Sequence, residues 1–390
     1  MSLAGSDKSL SLGLSEFILI SGLLVYVAKK RNLGFSLALL FTLWLVFKHG
    51  FVRQDVGHFL KFFMWTIIIV LLTIPKIRAS RIKKLSYLLC FYVILVGLAM
   101  SQGAKVYRAF SLRKVVWNIS SILHSHTFFS KLKEESVSEL ASVRLPDQIL
   151  KLVGDKTVDV IPWDTVLVEA NRLNWKPIPI FQSYLAYTIS SDNINYENLV
   201  KQSKDYIFYS FSFIDDRHPF FDEPKTFFYI FCNYVPSSGA PDFLNTEILH
   251  NIILLEKSTV NKCSNGERER EIAIPWNNLQ SIESRKNYLI RAHVQFAYST
   301  LGKIYKTLFR APPVNICVQY KDGIERTYRI VPGNSTNGVI LNPLPRDDIE
   351  ALSFFRGELS DKVKSFKFET SKPFLYKRKI EMSLSFVHLR

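Results

Sequence analysis

The stretch Phe17–Ala28 (FILISGLLVYVA) decides the class of this chain, because it is apolar on all sides and Lys29, Lys30 and Arg31 follow it directly. Three more apolar runs follow, over residues 33–47, 59–75 and 85–101. When the less apolar lead-in from Leu10 is added to the first run, each run is near the ~20 residues that a helix needs to cross a bilayer, and some are a little short. None has the polar stripe of a surface helix, which disfavours the alternative of four buried helices in a soluble bundle. The sequence therefore predicts four membrane-spanning helices.

The net positive charge of the chain lies mostly in this apolar part. Residues 1–110 carry 14 Lys and Arg against 3 Asp and Glu, whereas residues 111–390 carry 36 against 31. Basic residues between apolar runs mark the cytoplasmic loops of a membrane protein. A nucleic-acid-binding protein would instead need a basic patch on a folded soluble surface. We therefore expect the lipid bilayer, and no nucleic acid, as a partner.

The basic loops also predict the orientation of the chain. Residues 29–31 and the basic residues of 76–84 lie in the two loops that we expect to be cytoplasmic. Both termini and everything after Ser101 are then extracytoplasmic, where disulfides are allowed. That part holds three cysteines, so at most one internal pair forms, and Cys232 with Cys263 is one possible pairing.

We divide the chain into four regions. Residues 1–104 form the transmembrane domain with four helices, and residues 105–145 form an amphipathic connecting helix or a solvated stalk. Residues 146–224 read as a small α/β domain, because apolar strands alternate there with helical segments. Residues 225–390 contain many short strands separated by turns, which predicts a β-sandwich, jelly-roll-like domain.

The α/β domain is predicted in more detail from its pattern. We expect strands at 157–162, 178–187 and 205–213, and helices at 163–173 and 191–202, the second capped by Ser190, Ser191 or Asp192. The first strand of the β-rich domain is expected at Phe227–Val235.

Candidate binding residues follow the predicted strands of the α/β domain, where parallel sheets bind ligands. Trp163, Asp164, Gln182 and Tyr184 combine aromatic rings with polar groups, which suits the apolar faces and hydroxyl edges of sugars. The alternative is that these aromatic residues belong to the core. Asp215 and Arg217 follow the third strand, where the alternative is an ordinary polar turn.

The outward loop Lys48–His58 is the other candidate site. Arg53 could bind a phosphate with two hydrogen bonds, and Asp55 could act as a general base or hold a divalent metal ion. His49 and His58 could transfer protons. The alternative is an interfacial loop in which Arg53 pairs with Asp55 and anchors the helices.

Two segments together resemble a group of uncharacterised bacterial multi-span membrane proteins that are loosely labelled glycosyltransferase-like. One is Phe47–His58 (FKHGFVRQDVGH), and the other joins Val158–Trp163 (VDVIPW) with Ala170–Thr188 (ANRLNWKPIPIFQSYLAYT). The resemblance covers the apolar runs and the α/β domain better than the β-rich end. It implies a multi-pass protein of the bacterial inner membrane that works on cell-envelope glycans. It also implies that this chain corresponds to the C-terminal half of longer relatives.

Two functions follow as hypotheses. The first is a protein of surface-glycan assembly that binds or transfers a lipid-linked sugar at the outer membrane–water interface, glycosyltransferase-like if it is an enzyme. A transferase activity would need a partner membrane subunit, because only a short outward segment precedes the first apolar run. The second is a non-catalytic scaffold whose exported β-sandwich binds a partner protein.

Overall fold

Four long apolar helices form the N-terminal part of the computed structural model, which describes residues 7–29, 33–53, 56–100, 112–264, 267–282, 287–309, 311–358 and 362–390. The helices are α1 (Asp7–Ala28), α2 (Leu33–Arg53), α3 (Val56–Thr73) and α4 (Ser80–Met100), and two shorter ones follow, α5 (Leu112–Leu123) and α6 (Ser125–Ala141). Pro75 lies in the short 3₁₀ turn after α3. Proline lacks the N–H that a continuing helix needs, so this turn separates α3 from α4.

Phenylalanine rings form the centre of the packing among the first helices. The ring of Phe47 in α2 lies 4.9 Å from that of Phe17 in α1 and 5.6 Å from that of Phe62 in α3, between ring centroids. Gly13 of α1 lies against the ring of Phe51, and a Cβ atom at this glycine would lie 2.0 Å from that ring. The close approach of α1 and α2 therefore depends on Gly13.

The outer surface of these helices is apolar as well. Ile18, Leu37 and Phe41 are 61%, 55% and 60% exposed, at positions where a soluble helix bundle carries polar side chains. Two helices have both the length and the composition to cross a membrane, over Ser11–Ala28 and Leu33–Phe51. The structure thus contains two apolar N-terminal helices able to span a bilayer, and crossings by α3 and α4 stay predictions.

A five-stranded mixed sheet follows in the chain. Its strands are β1 (Thr157–Ile161), β2 (Asn174–Trp175), β3 (Tyr206–Ser210), β4 (Tyr234–Pro236) and β5 (Ile252–Lys257). In the order β2-β1-β3-β5-β4, the first three strands are parallel and the last two run antiparallel to their neighbours. The helices in this region are α7 (Asp147–Val153), α8 (Val166–Asn171), α9 (Ile189–Lys201) and α10 (Pro224–Asn233). Mixed α/β content is therefore confirmed.

The strand expected at residues 178–187 is wrong. On the side of β1 away from β3, its parallel neighbour is the short β2, and the segment after β2 forms no strand. Pro177 and Pro179 have no N–H to donate to a neighbouring strand. The N–H groups between and after them bond to side chains, Ile178 to Asp159 and Ile180 to Asn195. The backbone is satisfied without a sheet partner, so the segment runs as a loop.

The strand expected at Phe227–Val235 is also wrong, because most of it lies in α10. An apolar run of this length fits a buried helix as well as a buried strand. Pro224 occupies the first turn of α10, where its missing N–H costs nothing. The helix ends beside Cys232, which forms a disulfide with Cys263, so this pairing is confirmed.

Two antiparallel four-stranded sheets make up most of the remaining chain, in the orders β10-β9-β12-β7 and β11-β8-β13-β6. Their strands are β6 (Glu267–Pro275), β7 (Gln280–Ser281), β8 (Tyr288–Gln295), β9 (Val314–Tyr320), β10 (Glu325–Ile330), β11 (Val339–Asn342), β12 (Val363–Thr370) and β13 (Lys379–His388). Two helices interrupt them, α11 (Thr300–Leu308) and α12 (Asp348–Arg356). Antiparallel sheets are confirmed, and a jelly roll stays a prediction.

The chain divides into two units. The first comprises the described parts of Met1–Phe129 together with Gly302–Ala311, and the second comprises those of Ser130–Leu301 and Pro312–Arg390. This division is coarser than the four regions expected from the sequence, whose boundaries at 104, 145 and 224 stay predictions.

Candidate functional site

The carboxyl ends of the parallel strands β1 and β3 carry the first candidate site. Trp163 and Asp164 come directly after β1 and Pro162, and both side chains are half-buried. The hydroxyl of Ser210, at the end of β3, donates a 3.1 Å hydrogen bond to Asp164 Oδ2. Burial raises the pKa of the Asp164 carboxyl, and the bond from Ser210 opposes this effect. A hydrogen bond therefore joins the ends of the two strands at Asp164, and the half-buried Trp163 directly precedes this residue in the chain.

The loop after β2 completes this cluster. The N–H of Ser183 donates to the carbonyl oxygen of Pro162 at 3.1 Å, which holds the two loops together. The rings of Trp163 and Tyr184 meet edge to face, with 5.7 Å between their centroids. The Tyr184 hydroxyl donates a 2.9 Å hydrogen bond to Gln182 Oε1. The loop thus places Tyr184 in contact with both Trp163 and Gln182, and Asp164 follows Trp163 in the chain. We call Trp163, Asp164, Gln182 and Tyr184 the strand-end cluster.

Arg217 was expected to bind ligand, but its side chain is 1% exposed. Its Nη1 donates to the carbonyl oxygen of Tyr184 at 3.1 Å and lies 2.9 Å from Asp222 Oδ1. Its guanidinium group also lies over the ring of Tyr187. Arg217 therefore supports the backbone of the strand-end cluster from within the protein and does not offer its charge to solvent.

Asp215 lies apart from the strand-end cluster. Its side chain is 52% exposed and its carboxylate is 3.8 Å from Arg329 Nη1. Asp215 and Asp216 both have left-handed φ angles, 50° and 60°, and Arg217 N–H donates to Ile214 O, which closes a tight turn. The turn separates the exposed Asp215 from the buried Arg217, so the polar-turn alternative describes this segment.

A small cavity lies under the two loops of the strand-end cluster, with room for about one water molecule. Its polar lining consists of Ser183, Tyr209 and Glu223. Of the described residues that line it, Tyr209 has a hydroxyl with no hydrogen-bond partner, whereas the Ser183 side chain lies close enough to Glu223 to oppose the rise of its pKa. Burial raises the pKa of Glu223 to about 8, against the bond that Asn195 donates to it. Glu223 is not identifiable as a site residue from the sequence, because the residues around it do not indicate that its side chain is buried.

Asp159 is another buried acid that sequence reasoning missed. Burial raises its pKa to about 6, against hydrogen bonds from the Trp175 indole and from the N–H groups of Val160 and Ile178. These bonds fix the start of the loop that carries Gln182 and Tyr184. Asp159 therefore shapes the site from inside the sheet.

The second candidate site lies where α2 ends and α3 begins. The rings of His49 and His58 come together there, 4.9 Å apart between centroids. Arg53 is the last residue of α2, and Asp55 lies outside the described residues. The roles expected for Arg53 and Asp55, and their alternative ion pair, therefore stay predictions. In the described part of the chain, no three His, Cys, Asp or Glu side chains are grouped closely enough to hold a metal ion.

Glu16 in α1 is an ionisable residue that the sequence analysis passed over. It is fully buried, and neither carboxyl oxygen has a hydrogen-bond partner among the described residues. Its neighbours on the helix, Gly13 and Phe17, lie against Phe51 and Phe47 of α2. Glu16 therefore lies near the end of the bundle that holds His49. The sequence does contain a signal for Glu16, since an acidic residue inside an otherwise apolar segment is a candidate functional residue.

Comparisons of the chain with protein-family models, with curated proteins and with solved structures gave no match. The resemblance to glycosyltransferase-like membrane proteins therefore stays a prediction. A function for this chain has to be argued from the chemistry of its sites, since a fold alone does not determine function.

Proposed function

We propose that this chain is a multi-pass protein of the bacterial inner membrane that binds the sugar part of a lipid-linked or envelope glycan. The observation that carries the proposal is the strand-end cluster. It places two aromatic rings, a carboxyl group and an amide group together at the open end of a parallel sheet. This is the position where sheets of this type bind their ligands.

The chemistry of the cluster matches a sugar ring. The indole of Trp163 and the ring of Tyr184 supply flat apolar surfaces for the C–H faces of a sugar. Asp164 uses one oxygen for Ser210, and Gln182 uses its oxygen for Tyr184. The second oxygen of Asp164 and the amide N–H groups of Gln182 are not used in these bonds, so they can bond to sugar hydroxyls.

We further propose that α1 to α4 all cross the membrane and that the second unit is exported. Basic residues at 29–31 and 76–84 support cytoplasmic positions for the loops after α1 and α3. The disulfide between Cys232 and Cys263 supports an oxidising compartment for the second unit. In the exported unit, the two antiparallel sheets would form the jelly-roll-like sandwich.

The proposal is for binding, and transfer of the sugar would require a partner membrane subunit. The exported unit would present the glycan at the outer surface of the inner membrane. The histidine pair and Arg53 at the end of α2 would then lie on that same side, where a lipid-linked sugar carries its phosphate.

The test is a comparison of envelope glycans in the native bacterium. Trp163→Ala and Asp164→Asn should each reproduce the glycan defect of a deletion strain, at equal protein level in the membrane. Phe374→Ala is the matched control, because Phe374 is an exposed aromatic residue of the second unit with no part in the cluster. A deletion defect that neither site variant reproduces would favour the scaffold function, and an unchanged deletion strain would refute the glycan role.

A further inference from the structure

Helix α11 has an unusual place in the chain. It lies between β8 and β9, two strands of the second unit, yet residues 302–311 belong to the first unit. The ring of Phe309, just after the helix, packs edge to face on Phe47 of α2 at 5.8 Å. Tyr305 in turn packs on Phe309 at 4.9 Å. The chain thus leaves the antiparallel sheets, contacts the apolar helices and returns.

The side chains of α11 divide into three sectors when each residue is rotated by about 100° from the last. Gly302, Tyr305 and Phe309 fall within about 60° of one another and form the sector that is buried or packed. Leu301 and Ile304 form a second, apolar sector and are 55% and 60% exposed.

The third sector of α11 is basic. Lys303 and Lys306 are exposed, and the mean direction of this pair lies about 160° from that of Leu301 and Ile304. A helix with exposed apolar residues on one side and lysines on the other is typical of helices that lie in the membrane interface. In water the lysines would be solvated, but the exposed leucine and isoleucine side chains would have no apolar surroundings.

The depth of the contact fits an interfacial position. Phe47 lies six residues before the end of α2 at Arg53, which is about 9 Å along the helix axis. Helix α11 therefore meets the bundle close to one of its ends. The helices of the same unit carry exposed apolar side chains as well.

We propose that α11 is a membrane-interface helix whose Leu301 and Ile304 enter the lipid acyl region while Lys303 and Lys306 contact headgroup phosphates. The partner of this surface is the lipid bilayer, since Phe309 packs on a helix that is apolar and long enough to span a membrane, and the lysines complement anionic headgroups. The antiparallel sheets would then be attached to the membrane at a second point, besides the chain that follows α4. This inference rests on the membrane location of the first unit and is independent of the sugar site.

The test uses the full chain in nanodiscs of phosphatidylethanolamine and phosphatidylglycerol. Cys90→Ser and Cys317→Ser remove the free thiols and leave the disulfide in place. A nitroxide label is then attached at Ile304→Cys or, as the matched control, at Lys306→Cys. Collision rates with oxygen, which concentrates in lipid, and with a water-soluble nickel chelate report the surroundings of each label.

The label at residue 304 should have an oxygen-to-nickel collision ratio at least about threefold higher than the label at residue 306. Equal ratios at the two positions would show that α11 lies in water and would overturn the proposal. A label at 304 shielded from both reagents would overturn it as well, because a protein surface, such as a second copy of the chain, would then cover the helix. Leu301→Cys serves as a second reporter if Ile304→Cys disturbs folding.

Discussion

At the scale of single residues, the buried pair of Arg217 and Asp222 is a support for the strand-end cluster. Burial raises the pKa of Asp222 to about 7, although the guanidinium group of Arg217 opposes the shift. Removing one partner of such a pair leaves an uncompensated buried charge, which costs about 3–5 kcal/mol, whereas replacing both partners by apolar residues costs much less.

We therefore expect Arg217→Met to lower the free energy of unfolding by about 3–5 kcal/mol. The double variant Arg217→Met/Asp222→Leu should recover much of that loss. Chemical denaturation of the full chain in detergent, followed by tryptophan fluorescence, measures both. A single variant as stable as the wild type would show that the pair does not support the cluster.

Glu223 predicts a pH dependence of stability. Its pKa is raised from 4.5 to about 8 in the folded protein, so the folded state holds a proton that the unfolded state releases between these values. The contribution of Glu223 to stability then falls as the pH rises from 4.5 to 8 and levels off above it. Asp222 and Asp159 act in the same direction, whereas His218, whose pKa burial lowers to about 3, acts in the opposite direction below pH 6.5, and Lys262, whose pKa burial lowers to about 7, does so above pH 7.

Glu223→Gln should flatten this profile, because the amide keeps the shape of the side chain and has no proton to lose. The midpoint of thermal unfolding, measured from pH 5 to pH 8, should fall less in the variant than in the wild type. Parallel profiles for the two proteins would show that Glu223 is not the group responsible.

The strand-end cluster shows what the sequence reveals about single residues. Trp163 and Tyr184 do come together as expected, but Tyr184 lies in a loop and not in the strand expected at residues 178–187. The burial of Arg217 and Glu223 is not predictable from the sequence, since charged residues are exposed in most proteins. Only the tertiary packing around them decides otherwise.

At the scale of elements, Asp192 explains why residues 224–233 form a helix. Asp192 is one of three residues that the sequence offers as the cap of its own helix, with Ser190 and Ser191, but the cap is Thr188, which accepts a hydrogen bond from Ser191 N–H. The Asp192 carboxylate instead accepts bonds from the N–H groups of Lys225 and Thr226, in the first turn of α10. It also accepts a bond from Asn337. A negative group at the N-terminus of a helix stabilises it. The sequence of residues 224–233 alone does not reveal this contribution, because Asp192 is distant in the chain.

Asp192→Ala should lower the free energy of unfolding by about 2–4 kcal/mol, because several buried donors lose their acceptor at once. Ser190→Ala is the matched control, since Ser190 is an exposed residue of the same helix. Urea denaturation of the two variants beside the wild type measures the difference. Equal losses for the two variants would contradict the role given to Asp192.

Strands and loops differ in how well the sequence predicts them. Polar and apolar residues alternate along much of β9 and β13, and this pattern predicts the short strands of the β-rich domain. The apolar residues of 178–187 favour a strand, but Pro177 and Pro179 remove two backbone donors, and the segment forms a loop. Helix α11 was missed because a short amphipathic segment between strands gives no signal of its own.

At the scale of the whole molecule, the proposed topology places the loop after α3 in the cytoplasm and the second unit outside. In a background without free cysteines, Lys76→Cys should be protected from a membrane-impermeant thiol reagent applied to intact spheroplasts. Lys377→Cys, on an exposed side chain of the second unit, should react under the same conditions. Reaction at both positions, or only at residue 76, would contradict the four-crossing arrangement.

Binding of a sugar by the strand-end cluster is the central claim, and calorimetric titration tests it most directly. The full chain in nanodiscs would be titrated with oligosaccharides released from the cell surface of the organism that encodes it. The wild type and Phe374→Ala should bind with equal affinity. Trp163→Ala should bind about tenfold more weakly, since the lost aromatic contact is worth about 1.4 kcal/mol. Equal binding by wild type and Trp163→Ala, or no binding by the wild type, would contradict the claim.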